Sequence, residues 1–293
     1  MRARLADFEL RAPASLAVAL ETLAREPGQW RPFAGGTDLM VLLDAGKLPP
    51  ARYLSLWHLG ELRHIDVTDG EIVIGALTTY SDILQSPAIR ADCPLLCNAA
   101  AETGGVATQN RGTIGGNIAN ASPAADTPPA LLTYDASLEL ISVRGARRVA
   151  YDKFHLGYKK MDLAPDELIA SIRVVRGRGA WRQGWRKVGT RRAQAISKIC
   201  FASVLDVDSA SGTVRDVRIG LGSVAPTVVR AIHAEAALRG RALTPDTIAA
   251  ARGALASDIA PIDDLRSSAA YRRRVTENLL EQVLVEARGS GPG

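Results

Sequence analysis

Residues Asn110–Ala130 read NRGTIGGNIANASPAADTPPA, and this run restricts what can be built around it. Gly112, Gly115 and Gly116 permit backbone angles and close approaches that other residues resist. Thr113 adds a hydroxyl beside them, Ile114 lies between Thr113 and Gly115, and Asn117 and Asn120 supply amides. Asp126 is the one carboxylate, and two prolines close the stretch. There is no nucleophile paired with a base and no metal-binding set. Without a core of its own, a segment this long is expected to be a loose loop unless it wraps something polar. Asp126, being negative, should then face a sugar hydroxyl or a ring N–H rather than a phosphate.

A second glycine stretch, PFAGGTDLM, comes earlier and comprises Pro32, Phe33, Ala34, Gly35, Gly36, Thr37, Asp38, Leu39 and Met40. The glycine pair sits between a predicted strand and a predicted helix, with Thr37 and Asp38 at the helix's cap positions. A strand, a glycine turn and a helix start together present several unpaired N–H groups, let a phosphate oxygen approach, and favour its charge. Alone, this motif fits an anion site and a ligand-free capped turn equally. Two such stretches point to an extended ligand with phosphates at one end and hydroxyls elsewhere. A dinucleotide fits, yet no G-x-G-x-x-G follows a strand, which excludes a Rossmann site. The P-loop pattern and G-x-S-x-G are also missing, so hydrolase chemistry has nothing to use.

At 293 residues two or three folding units are expected. Strand, helix, strand, helix, strand is legible in DFELR, SLAVALETLAREPG, WRPFA, GGTDLMVLLDAG and RYLSLW, a small parallel unit over 1–57. From 58 to 176 the texture is mixed, opening with the hairpin HIDVTDGEIVIGA. From 177 to 293 the chain reads as further strands and a final amphipathic helix carrying Leu279, Leu280, Val283, Leu284 and Ala287, with a frayed tail RGSGPG. No apolar run reaches the ~18–20 residues of a membrane span, and MRARLADFELRAP has no signal-peptide core; a soluble cytoplasmic protein is expected. Cys93, Cys97 and Cys200 lack zinc or redox spacing and are expected to be reduced thiols. Four scattered histidines make a protein metal centre unexpected. Net charge is +5, with the surplus local: Arg173–Arg192 holds seven arginines, Lys187 and no acidic residue. No nucleic-acid module accompanies it, so a solvated face or a patch for an acidic ligand or subunit is the expectation.

AGGTDL, followed some seventy residues later by RGTIGGNIANASPAAD, resembles the FAD-binding medium subunit of the molybdenum hydroxylases, the xanthine dehydrogenase and carbon monoxide dehydrogenase family. GLGSVAPTVVRA (Gly220–Ala231) and PIDDLRSSAAYRRRV (Pro261–Val275) resemble that family's C-terminal domain. The resemblance covers nearly the whole chain in order. It implies an α+β fold: a two-subdomain FAD-binding fold of the vanillyl-alcohol-oxidase-like type, then a C-terminal α+β domain with an antiparallel sheet packed on helices. Pro32 to Leu39 would cradle the FAD pyrophosphate. Gly112 and Thr113 to Asn117, which include Ile114, Gly115 and Gly116, would add phosphate and ribityl contacts. Thr103 and Gly104 would lie against the flavin, Asp126 would hydrogen-bond it, Ile169 would offer an apolar backbone contact, and Lys187 would stand near the isoalloxazine. Fused-chain relatives carry an aromatic side chain where this chain has Thr103, a departure from stacking.

The role implied is electron transfer. A large subunit with molybdopterin and a small subunit with two [2Fe–2S] clusters would be partners, in a dimer of heterotrimers, with NAD or another molecule as acceptor. Nucleic acid is not an expected partner. The alternative is a stand-alone flavin oxidase of the related fold, although no histidine or cysteine sits in either glycine stretch to attach FAD covalently. A third reading, a non-enzymatic scaffold using the arginine stretch on nucleic acid, would give a colourless, salt-sensitive binder.

Overall fold

The computed structural model describes residues 8–191 and 194–289; of the tail RGSGPG expected to be frayed, Arg288 and Gly289 belong instead to the last helix, and 290–293 lie outside the described residues. In the first stretch β1 (Glu9–Arg11), β2 (Trp30–Phe33) and β3 (Arg52–Ser55) alternate with α1 (Leu16–Arg25) and α2 (Leu39–Asp44). The strands are parallel with β3 central, as the alternation predicts. Ser15 Oγ accepts from Val18 N at 3.3 Å and so satisfies one orphan amide of α1. That helix packs Ala19, Leu20 and Leu23 against Trp30, Leu54 and Leu56. Helix α2 behaves differently: its sequence LMVLLD is apolar, yet it buries none of its residues, and Val41 is 65% exposed. Leu39 and Leu42 line a cleft instead.

The middle of the chain builds an antiparallel sheet in the order β4-β5-β10-β6-β7, from β4 (Ile65–Val67), β5 (Glu71–Gly75), β6 (Ser137–Ser142), β7 (Gly145–Ala150) and β10 (Leu168–Val175). Between β5 and β6 lie α3 (Tyr80–Gln85), α4 (Pro87–Asp92), α5 (Pro94–Glu102), α6 (Val106–Gln109), α7 (Ile114–Ala119) and α8 (Thr127–Thr133). After β7 come α9 (Tyr151–Phe154) and a separate hairpin of β8 (His155–Gly157) and β9 (Lys160–Met161).

The run Asn110–Ala130 is therefore no loose loop, contrary to expectation. Thr113 Oγ1 accepts from Gly116 N at 3.1 Å and starts α7. Ile114 and Ile118, one turn apart, are fully buried and supply the anchors that composition hides. The prolines at 128 and 129 do not end the stretch but open α8, where a missing N–H leaves nothing unsatisfied. Every residue of α8 is buried.

The third sheet is antiparallel, β11 (Arg182–Val188), β12 (Ile199–Val207), β13 (Val214–Gly222) and β14 (Val229–Arg230) in that order. It is followed by α10 (Ile232–Leu238), α11 (Pro245–Ala254) and α12 (Ala269–Gly289). Leu279, Leu280, Val283, Leu284 and Ala287 of α12 are buried, as their spacing predicts. One core joins the second and third stretches: Leu131, Tyr134 and Ile172 share it with Trp185, Cys200 and Val204. Gly220 shows why β13 can lie on α8, since a Cβ there would sit 2.2 Å from the carbonyl oxygen of Pro129.

Arg192 lies outside the described residues, and four other arginines of the basic stretch are paired with acids from elsewhere in the fold. Arg173 pairs with Glu71 and Glu139, Arg176 with Asp92, Arg178 with Asp135, and Arg186 with Glu286. Its partners are distant in sequence, so a one-dimensional reading sees only the cations. The three cysteines are free, and burial pushes the Cys93 and Cys200 thiols up, away from reactivity.

Candidate functional site

The two glycine stretches meet. A Cβ on Gly35 would lie 1.7 Å from the carbonyl oxygen of Arg111 and 3.3 Å from Gly112 N, so backbone rests directly on backbone there. Arg111 also stacks its guanidinium on Trp57, 3.7 Å from the ring centroid, tying the second stretch to the end of the first sheet. Gly36 adopts φ +76° and packs over Phe33, whose ring a Cβ would meet at 2.6 Å. Phe33 is thus a buttress beneath the turn, held edge-on by Tyr53.

Beside this junction opens a cleft of about 1430 Å³, larger than the ~300–1,000 Å³ of an ordinary small-molecule pocket. Its wall takes in Pro32 and Ala34 to Leu39 from the first stretch, Gly112, Thr113 and Gly115 to Asn117 from the second, and Thr103, Gly104, Asp126 and Ile169. Of the residues singled out in the sequence, Phe33, Ile114 and Lys187 do not line it. Ile114 is a core residue under α7. Ile169 reaches the cleft at a β-bulge, where the register between β10 and β6 shifts, which re-aims the strand.

The two stretches differ in what they offer. The amides of Gly35, Gly36, Thr37 and Asp38 donate to no other described residue, while Met40 N and Leu42 N already donate to Gly36 O and Asp38 O. Asp38 stands at the N-cap of α2 but makes no capping hydrogen bond, so the turn is not the self-satisfied one the sequence also allowed. In the second stretch Ile114 N, Gly115 N and Asn117 N donate to Thr78 O, Ala76 O and Thr113 O. Gly115 is glycine because a Cβ would meet Ala76 Cβ at 2.6 Å. Its role is close backbone packing; the run of consecutive unengaged donors belongs to the first stretch, while in the second Thr113 N also donates to no described residue. Thr127 Oγ1 donates to Asn117 Oδ1 at 2.6 Å, fixing that side chain.

Asp126 closes another part of the wall and binds the third sheet to it. Its Oδ2 accepts from Lys187 Nζ at 2.7 Å and its Oδ1 from Ser197 Oγ at 2.6 Å. Lys187 also donates to Glu102 O at 2.7 Å. The pair is nearly enclosed, with side-chain exposures of 7% for Lys187 and 11% for Asp126. Burial pushes the Asp126 carboxyl up, and Lys187 and Ser197 oppose that shift. Burial, then the charge of Asp126, also keeps the Tyr80 phenol protonated beside the cleft. Thr103 donates its hydroxyl to Ala99 O at 2.7 Å, and Gly104 turns at φ +62°.

Several cleft residues are not among the site candidates named from the sequence, although Asp264, Arg266 and Arg272 lie within PIDDLRSSAAYRRRV. Ser197 sits ten residues beyond Lys187, and Tyr158 and Lys159 form the tip of the β8–β9 hairpin. Asp264, Arg266 and Arg272 come from the segment before α12 and its first turn. Asp264 accepts from Arg266 N, Ser267 N and Arg272 Nη2 at 2.8, 3.0 and 2.7 Å. The Arg272 hydrogen bond, above all, holds its carboxyl down at about 2. Because the folded value lies below that of the unfolded chain, this stabilisation is complete above the ordinary 3.8 and lost as pH falls toward 2. Hydrogen exchange at Arg266–Arg272, corrected for intrinsic rates, should therefore accelerate over that window; protection that stays flat would contradict the assignment. Among the described residues no group of His, Cys, Asp and Glu is disposed to hold a metal ion, and no helix is long and apolar enough to cross a membrane.

Comparison with known proteins places this geometry. The profile described as FAD binding domain in molybdopterin dehydrogenase matches residues 6–174, and that described as CO dehydrogenase flavoprotein C-terminal domain matches residues 185–287. The chain is 32% identical to a putative xanthine dehydrogenase FAD-binding subunit of Escherichia coli K12, covering 96% of each. It is 31% identical to the carbon monoxide dehydrogenase medium chain of Hydrogenophaga pseudoflava, over 94% of this chain and 96% of that one. Among solved structures, carbon monoxide dehydrogenase from Hydrogenophaga pseudoflava superposes with a TM-score of 0.89 at 33% identity, covering 96% of both chains. Quinoline 2-oxidoreductase from Pseudomonas putida 86 gives 0.87 at 27% identity, over 97% and 98%.

Proposed function

The chain belongs to the family of FAD-binding subunits of the molybdenum hydroxylases, and on that premise we propose that it is the electron-transfer subunit of a heterotrimeric enzyme. Its partners in this reading are a large subunit with molybdopterin and a small subunit with two [2Fe–2S] clusters, assembled as a dimer of heterotrimers. Electrons arrive from the small subunit and leave to NAD or another acceptor. We further read the chain as three folding units over 1–57, 58–176 and 177–293, the first two holding the flavin and the third backing it.

The observation that carries the flavin assignment is the row of four unengaged amides, Gly35 to Asp38, facing the cleft. Such a row of donors, its first two residues bare of side chains, suits a diphosphate. The group fits: the cleft of about 1430 Å³ has room for a dinucleotide, and the rest of its wall supplies further hydrogen-bonding groups. When bound, FAD supplies one- and two-electron redox chemistry that no side chain here provides. In this assignment Pro32 to Leu39 take the diphosphate, and Gly112, Thr113 and Gly115 to Asn117 form the wall along the ribityl chain. Thr103, Gly104 and Ile169 bound the ring, and Asp126, oriented by Lys187 and Ser197, accepts from the cofactor with its remaining lone pairs. Lys187 acts through Asp126 and its positive charge, from behind the wall.

Purification from the native source tests the assembly. Two partners, one large and one small, are expected to accompany the chain, with flavin, iron and molybdenum in the sample. An active, metal-free homo-oligomer would instead support a stand-alone flavin oxidase and overturn the proposal.

A further inference from the structure

We propose that Lys159, at the tip of the β8–β9 hairpin, is the counter-cation of the bound nucleotide's diphosphate, a cofactor-holding residue outside both glycine stretches; this rests on the flavin reading above. The first stretch contains a difficulty for anion binding. Asp38 belongs to the very row of amides that would receive the phosphates and is an exposed carboxylate on the cleft wall. Uncompensated, it would repel them. Lys159 lines the same cleft and lies within electrostatic reach of Asp38.

The lysine is also held in place. Its Nζ donates to the backbone oxygen of Asn120 and, at 2.8 Å, to Asn120 Oδ1, at the end of α7. An ammonium has three N–H groups, and the third meets no acceptor among the described residues. Lys159 further occupies φ +57°, a conformation that non-glycine residues adopt rarely and that marks functional positions more often than others. A two-stranded hairpin is marginal alone; this one is tied at its base by a 3.0 Å contact between His155 Nε2 and Ile118 O and by Asp162 N donating to Phe154 O at 2.8 Å. Its tip therefore presents a positioned cation whose one spare donor is available to an anion beside Asp38. Only the fold brings these groups together, since Asp38, Asn120 and Lys159 are remote in sequence.

The test uses the full chain stripped of flavin and titrated with FAD at several concentrations of potassium chloride. Lys159→Met should bind FAD about ten- to a hundredfold more weakly at low salt, the range for loss of one charge-assisted hydrogen bond. Its affinity should depend less steeply on salt than the wild type's, so the two curves converge as salt rises. Lys159→Arg, which keeps the charge, should recover most of the affinity. Equal FAD affinity for Lys159→Met and wild type would overturn the inference, as would a loss with an unchanged salt slope that arginine does not rescue, the mark of a damaged hairpin. A wild-type chain that binds no FAD would instead defeat the flavin reading itself.

Discussion

Gly35→Ala is expected to empty the protein of flavin. A methyl group at that position would stand 1.7 Å from the Arg111 carbonyl oxygen, far inside any contact real atoms tolerate. The obstacle is backbone, so no side-chain rotation relieves it, and the two stretches must separate. Separation turns the row of free amides away from the opposite wall and removes the support that Trp57 and Arg111 give it. The clash is local to the cleft rim, and neither Gly35 nor Arg111 belongs to the cores around Leu280 and Ile172, so helix and sheet content should persist. Flavin absorbance relative to protein absorbance, read with circular dichroism, decides the matter. A folded variant with full flavin content would show that the contact between the stretches does not hold the cofactor.

Lys187→Met is expected to destabilise the chain by about 3–5 kcal/mol, the usual consequence of leaving one member of a buried ion pair alone. Asp126 would remain enclosed, with Ser197 the one side-chain donor left to its carboxylate among the described residues. The sign with pH follows from the same arrangement. Burial already raises the Asp126 carboxyl, and Lys187 is the chief opposing influence; removing it raises the folded value further above the ordinary 3.8. A folded carboxyl that holds its proton more tightly than the unfolded one contributes stability at low pH that is lost as pH rises through the folded value. Wild type loses the same stability only until pH passes its own, lower folded value, so the gap between variant and wild type should widen as pH rises beyond that point. Denaturant titrations across that range check it, and the double variant Lys187→Met with Asp126→Asn should recover a good part of the loss. A gap that narrows with rising pH would mean that the pair does not carry the seam between α8 and the third sheet.

Much of the fold was legible because it is written in local periodicities. The parallel unit at the start follows from leucine spacing in α1 and short strands around it, and the β4–β5 hairpin follows from Asp69-Gly70 between alternating residues. The run 110–130 reads as a loop because two isoleucines, four residues apart, are its only large apolar anchors, and the rest of its burial falls on small or polar residues and prolines; composition over twenty residues drowns that signal. The apolar sequence of α2 likewise announces a helix without saying that it borders a cleft rather than a core.

By itself the sequence determined which segments fold and where backbone must come bare of side chains: each glycine of PFAGG and RGTIGG is a local conformational or steric statement, legible without a partner. Tertiary structure alone decided what those glycines approach. Arg111 oxygen beneath Gly35, Ala76 against Gly115, Lys187 and Ser197 on Asp126, and Lys159 beside Asp38 are pairings between residues 39 to 121 positions apart. Which amides stay free and which charges are cancelled depends on those distances, and no spacing within one segment encodes them.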